Sequence, residues 1–219
     1  MFGAIARRYD LANHTLSCGI DFYWRKRAAN MVASWCPGKI LDLATGTGDL
    51  ALALQKKLPD AVEVIGADFL PEMVQLAQRK GVHKTIVADA MKLPFLDGSF
   101  DCVTIAFGLR NVENWKGALV EMSRVLRRDG HLLVLEFSLP TTPVVRAIYR
   151  FYLHNCLPLL GSVLTGKKSA YDYLGDSIEE FPNGQAMIDL IQASGFARAK
   201  LQPLTFGIAT IYTAENSGL

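Results

Sequence analysis

The chain has 219 residues, half of them apolar and a fifth charged, with a formal net charge of +2. That length suits one domain with a full hydrophobic core, and that balance excludes a chain too polar to fold. So small a charge excludes a broad nucleic-acid surface, which needs Lys and Arg concentrated on one face, so no nucleic acid is expected as a partner.

The basic clusters Arg7-Arg8, Arg25-Lys26-Arg27, Arg127-Arg128 and Lys167-Lys168 are short and read as solvated helix or loop surface. A second reading, a weakly basic face against anionic lipid, stays open. Cys18, Cys36, Cys102 and Cys156 form no Cys-x-x-Cys pair, so no metal site is expected and the thiols read as reduced. No apolar run reaches the roughly twenty residues that a bilayer span needs. Arg7, Arg8 and Asp10 stand where a signal peptide would be apolar. The expected location is the cytoplasm, with association at the inner face of the membrane left open.

Residues 1–37 read as an N-terminal helical cap. From Lys39 onward short β-rich runs alternate with helical patterns, the signature of βαβ units in a mostly parallel sheet. Strands are expected over residues 39–44, 63–68, 85–89, 100–107 and 131–137, all nearly continuous in apolar side chains, as suits strands covered on both faces. Between them Pro71 suits a first helical position, Asn114 can cap a helix beginning near Trp115, and Arg127-Arg128 favour a helix C-terminus. Asp97-Gly98 is a turn signal.

After Phe137 the alternation breaks at Pro140 and Pro143, and residues 140–182, with an aromatic helical stretch over 144–160, read as a helical insertion. A helix over 185–193 follows, and two runs at 199–204 and 208–214 around Gly207 read as a hairpin. The expected fold is α/β: a doubly wound, seven-stranded, mostly parallel sheet ending in an antiparallel hairpin. It would be Rossmann-like.

The strongest motif is Asp42-Leu-Ala-Thr-Gly46-Thr47-Gly48-Asp49-Leu-Ala51, where the first strand turns into a helix. Gly46 and Gly48 let the backbone approach a ligand and are assigned to the cofactor, but they also satisfy a loose dinucleotide pattern, so the charges decide. A pyrophosphate at this helix N-terminus would meet Asp42 and Asp49, which repel it. S-adenosylmethionine has no phosphate and carries an ammonium and a sulfonium, which the same acids attract. Asp42 is assigned to its amino-acid end, directly or through water. Asp68, twenty residues after Gly48, is assigned to the ribose hydroxyls, and Asp89, followed by Ala90, Met91 and Leu93, to the adenine. As isolated residues these acids would read as caps or turn formers. Three consecutive strand ends carrying them place the set along the edge where open sheets bind ligands.

Phe2-Gly-Ala-Ile5-Ala6, Arg8-Tyr9-Asp10, Trp24-Arg25, the Asp42 loop, Phe107-Gly108-Leu109-Arg110-Asn111-Val112, Arg124-Val-Leu-Arg and Leu133-Val-Leu-Glu136-Phe form a series along the chain. So do His154, Leu157-Pro158, Tyr171, Tyr173-Leu174, Ser177-Ile178 and Phe181-Pro182. The series resembles the ubiquinone/menaquinone biosynthesis C-methyltransferase family, most of all its demethylmenaquinone branch. The resemblance implies the class I S-adenosylmethionine-dependent methyltransferase fold and donor contacts at Thr47, Asp68, Asp89 and Ala90. Ala106 falls where some members have a serine and is kept as a pocket-lining position. It also implies methylation of a ring carbon of a polyprenylated quinol.

Carbon methylation needs an electron-rich ring, so a quinol hydroxyl must lose its proton. Arg110 is assigned to phenolate charge and Asn111 to orienting a proton-relaying water; a cap or ion-pair role is the alternative for Arg110. His154 and Tyr171 are assigned to ring oxygens, His154 also as a base, with packing as the alternative for both. His14, His83 and His131 carry no assignment. Residues 148–160 offer an apolar surface for the isoprenoid tail, for the core or for the membrane. Other readings stay open: a benzoquinol or another hydrophobic phenol as substrate, O-methylation, a silent lipid- or donor-binding scaffold, and a homodimer.

Overall fold

The computed structural model describes residues 17, 19–159 and 168–218, with side chains from residue 173 onward in the last segment. Its strands are β1 (Lys39–Leu43), β2 (Glu63–Asp68), β3 (Lys84–Val87), β4 (Phe100–Ala106), β5 (Leu126–Phe137), β6 (Phe196–Leu204) and β7 (Ala209–Asn216). They form one sheet in the order β3-β2-β1-β4-β5-β7-β6. The first five pair in parallel, whereas β7 runs antiparallel to both β5 and β6. This is the doubly wound sheet with a terminal hairpin that the alternation of runs predicts.

Helices α1 (Ile20–Ser34), α2 (Asp49–Lys57), α3 (Pro71–Lys80), α4 (Trp115–Val125), α5 (Pro143–Phe151), α6 (Lys168–Glu180) and α7 (Gln185–Gln192) complete the described elements. Successive strand side chains point to opposite faces, so one strand feeds two cores. Ile40, Cys102 and Leu133 join Trp24, Ala28, Val32, Leu54 and Ala77 under α1, α2 and α3. Their neighbours Leu41, Val103 and Leu132 join Leu119, Met122, Met187 and Ile191 under α4 and α7. Both faces are therefore covered, and the free edge of the parallel half is its carboxyl end.

The punctuation reads as expected at two helices and fails at one. Pro71 opens α3, and the Asn114 side chain caps α4 by accepting from the Gly117 N–H at 2.9 Å. Arg127 and Arg128 do not end α4, because β5 already begins at Leu126. The basic residue of the last turn is Arg124, which pairs with Glu121 and Asp97 and donates to the carbonyls of Leu93 and Phe95. A pair of arginines cannot tell a helix end from the start of an edge-on strand by charge alone.

The insertion adds α5, a π-helical turn over Tyr152–Cys156 and α6. Tyr149, Leu153, Leu157 and Ile178 bury themselves in a separate small cluster against Phe137, Leu139 and Ile208. No helix among the described residues is long and apolar enough to cross a membrane.

Candidate active site

Backbone turns at two strand ends open the cavity. After β1, Ala44 and Gly46 both take positive φ, 47° and 58°, and after β4 Phe107 does the same at 55°. A non-glycine residue pays for that conformation, and such residues collect where a chain must turn sharply at a site. The two loops touch: a Cβ on Gly108 would lie 2.4 Å from the Ala44 Cβ. Gly48 has a different role from the one assigned to it. It does not line the cavity, and a Cβ there would lie 2.4 Å from Val82 Cγ2, so this glycine lets α2 approach the end of α3.

The cavity between these loops measures about 540 Å³, within the range of cofactor pockets. Asp42, Gly46, Thr47, Asp68, Asp89, Ala90 and Ala106 all line it, so seven of the eight assigned donor positions face one space. Phe69, Leu70, Met73, Ala88 and Met91 supply apolar walls near Asp89. Among the described lining residues five are acids, Asp42, Asp49, Asp68, Asp89 and Glu113, and one, Arg25, is a cation. Arg25 had read as solvated surface; its side chain is 14% exposed, held by Asp21 one turn earlier.

Hydrogen bonding adds to the charge argument against a pyrophosphate. The Gly46 N–H donates to Asp68 Oδ2 at 2.8 Å and the Gly48 N–H to the Thr45 carbonyl at 2.9 Å, so both glycine amides of the loop are already engaged. Gly46 itself faces open space, with no atom within 4 Å of an added Cβ. These features fit S-adenosylmethionine, a cationic nucleoside without phosphate.

Each acid is fixed by its surroundings. Asp68 accepts from the N–H groups of Gly46 and Leu70, and burial pushes its carboxyl up. Asp89 accepts from the Met91 N–H at 2.8 Å, two residues beyond the end of β3. Asp42 is 1% exposed and accepts from the hydroxyls of Thr104 at 2.6 Å and Thr45 at 2.7 Å.

Burial pushes the Asp42 carboxyl up from 3.8 to about 6, against those two hydroxyls. Between these values the folded chain holds a proton that the unfolded chain has lost, so stability falls as pH rises across that window. The loss is on the order of 3 kcal/mol. A cationic donor favours the carboxylate. Calorimetry should therefore show donor affinity declining as pH drops below about 6, with Asp42→Asn giving a weaker, flatter profile. An unchanged profile in the variant would exclude Asp42 as the titrating group.

On the other side of β1, the 3₁₀ turn Leu109–Asn111 carries the residues assigned to chemistry. Asn111 lines the cavity and its Oδ1 accepts from the Tyr173 hydroxyl at 3.4 Å. Arg110 turns away. Its side chain is 4% exposed, Nη1 donates to Glu136 Oε1 at 2.7 Å and to the Phe107 carbonyl, and the guanidinium lies 5.2 Å from the Phe137 ring. It does not line the cavity, so the ion-pair alternative describes its position.

His154 also lies off the cavity, 43% exposed and 3.3 Å from Glu179. The Tyr171 side chain lies outside the described residues. Tyr173, two residues along, reaches Asn111.

Among solved structures, the chain resembles a methyltransferase from Thermotoga maritima described as a possible histamine N-methyltransferase. Their TM-score is 0.69 at 18% identity, covering 98% of this chain and 97% of that one. It also resembles phosphoethanolamine N-methyltransferase 2 of Haemonchus contortus in complex with S-adenosyl-L-methionine, with a TM-score of 0.60 at 12% identity, over 82% of this chain and 49% of that one. These likenesses show the fold. Among curated proteins, the demethylmenaquinone methyltransferase of Thermus thermophilus is 46% identical over 98% of this chain and 99% of its own length. The ubiquinone/menaquinone biosynthesis C-methyltransferase UbiE of Citrifermentans bemidjiense is 44% identical over 97% and 93%. With residues 1–216 matching its pattern as well, the chain belongs to the ubiE/COQ5 methyltransferase family.

Proposed function

We propose that this protein transfers the methyl group of S-adenosylmethionine to a ring carbon of a polyprenylated quinol, converting demethylmenaquinol to menaquinol. The observation that carries the reading is the order of groups along the sheet edge. Asp89 follows β3, Asp68 ends β2, Asp42 lies in β1 and Asn111 follows β4, in the spatial order β3-β2-β1-β4. That order matches adenine, ribose, amino acid and then acceptor. The near full-length identity with the Thermus protein supports the naphthoquinol ring.

When bound, the donor supplies an electrophilic methyl on a sulfonium. The protein's part is to hold the acceptor carbon about 3 Å away and in line. Asn111 offers both a donor and an acceptor, so it can orient a ring hydroxyl and the water that takes its proton. The phenolate then pushes electron density onto the adjacent carbon; that carbon forms the new C–C bond as the methyl–sulfur bond breaks, its electron pair leaving with the sulfur as the neutral thioether S-adenosylhomocysteine, and the carbon loses its own proton to water as the ring regains aromaticity. Arg110 acts through Asn111: its buried pair with Glu136 fixes the turn that presents the amide.

Purified protein supplied with donor should methylate chemically reduced demethylmenaquinone and leave the oxidised quinone untouched, because the quinone ring is electron-poor. Benzoquinol precursors form the second arm, favoured by the relative named for both pathways. Faster turnover of the benzoquinol would reassign the ring.

The tail and the membrane meet, on this reading, at α5. Val144, Ile148 and Phe151 are 68, 66 and 63% exposed at i, i+4 and i+7, with Leu159 at 65% beyond the π turn. An amphipathic helix with such a face rests on lipid, where a polyprenyl quinol is dissolved. Wild-type protein should float with anionic vesicles and Ile148→Glu/Phe151→Glu should not. Failure of the wild type to associate, with rates indifferent to lipid, would remove this surface from the account.

A further inference from the structure

The five acids around the cavity suit the donor's cationic groups but not the whole molecule. Its amino-acid end is a zwitterion, and although Lys80, outside the cavity lining, pairs with Asp49 at 2.6 Å, a carboxylate brought beside Asp42 is repelled unless a cation meets it. Arg25 is the one cation among the described residues that line the cavity. Resting on the donor reading above, we infer that Arg25 binds the α-carboxylate of S-adenosylmethionine while Asp42 faces its ammonium.

The placement is built rather than accidental. Trp24, 2% exposed, donates its indole N–H to Thr205 Oγ1 at 2.8 Å and meets Phe107 and Phe137 at centroid distances of 5.8 and 6.0 Å. This anchors α1 across the end of the sheet. The next residue, Arg25, then lies over the Phe107 ring at 5.4 Å and 3.8 Å from Asp49. Asp21 holds it from one turn earlier. Arg25 and Asp42 both line the cavity, and the guanidinium lowers the Asp42 carboxyl against the effect of burial. A guanidinium has five N–H donors in a planar fork, more than one bond to Asp21 and a long contact to Asp49 employ, and the fork matches a carboxylate.

Decarboxylated S-adenosylmethionine, which keeps the sulfonium and the amine and lacks the carboxylate, tests the assignment. Wild-type protein should bind the intact donor about tenfold to a hundredfold more tightly than this analogue, the worth of one charge-assisted pair. Arg25→Met should lose that factor for the intact donor and keep its affinity for the analogue, so the preference disappears. Arg25→Lys should restore part of it. Thermal melting alongside shows whether each variant is folded.

Equal losses for both ligands in Arg25→Met would mean that Arg25 only braces α1, and would overturn the proposal. An undiminished preference would overturn it too. If wild-type protein bound neither ligand, the donor reading itself would fall, an outcome distinct from either of these.

Discussion

Asp68→Ala is expected to raise the dissociation constant for S-adenosylmethionine on the order of 100-fold, with melting temperature changed far less. Asp68 does two tasks at once. Its carboxylate accepts from the Gly46 and Leu70 N–H groups, which holds the glycine loop against the end of β2, and it faces the cavity where the ribose hydroxyls belong. Removing it frees the loop and deletes the acceptor. Hydrogen bonds to charged groups contribute about 1.5–3 kcal/mol each, so losing two, even at the lower figure, reaches that factor. Calorimetric titration of the variant measures it; affinity within about threefold of wild type would mean that the ribose is held elsewhere.

Arg110→Ala is expected to destabilise the fold by about 3–5 kcal/mol, because it leaves Glu136 buried and charged without its partner. For a chain of this size that is a fall of roughly 10 °C in melting temperature. Glu136 is 0% exposed and also accepts from the Phe137 N–H, so no solvent reaches the orphaned charge. Combining Arg110→Met with Glu136→Leu should recover most of the stability, since the buried charges leave together.

Activity separates the roles of that pair. The double variant should regain its melting temperature yet keep a low kcat with little change in donor affinity, because the turn carrying Asn111 is no longer tethered. Full recovery of kcat would reduce the ion pair to a stabilising element. A melting temperature unchanged in Arg110→Ala would contradict the buried pair itself.

The strands of the parallel half and the acids at their ends are legible in the sequence because each is a local pattern. Continuous apolar runs mark β1 to β5, and a carboxylate at or just past the end of β2 and β3 is visible as the residue where the run stops. Strand limits were read short where tertiary pairing extends them: β5 starts at Leu126 and β7 runs to Asn216, pairing with β5 through Glu215 and Ala214. The direction in which a side chain points was less legible. Arg110 and Asn111 are neighbours in a 3₁₀ turn, and one enters the core while the other enters the cavity; only the position of Glu136, on β5, decides which.

Arg25 was missed for a related reason. Three adjacent basic residues on a helix look like solvent-facing charge, and the turn of the helix places only one of them over the cavity. The useful signal is its neighbour: Trp24, with Ala28 and Val32 at helical spacing, marks the buried face of the helix, and with it the side on which Arg25 emerges. Gly48 shows the reverse case, a glycine read as ligand contact whose missing side chain serves helix packing.

Transfer to carbon is most directly tested by the position of the label. Protein incubated with donor carrying a ¹³C methyl and with reduced demethylmenaquinol should yield, after oxidation, a quinone whose labelled carbon resonates as a ring-bound methyl. A labelled methoxy signal, or a labelled product that cannot be oxidised because one hydroxyl is blocked, would contradict it.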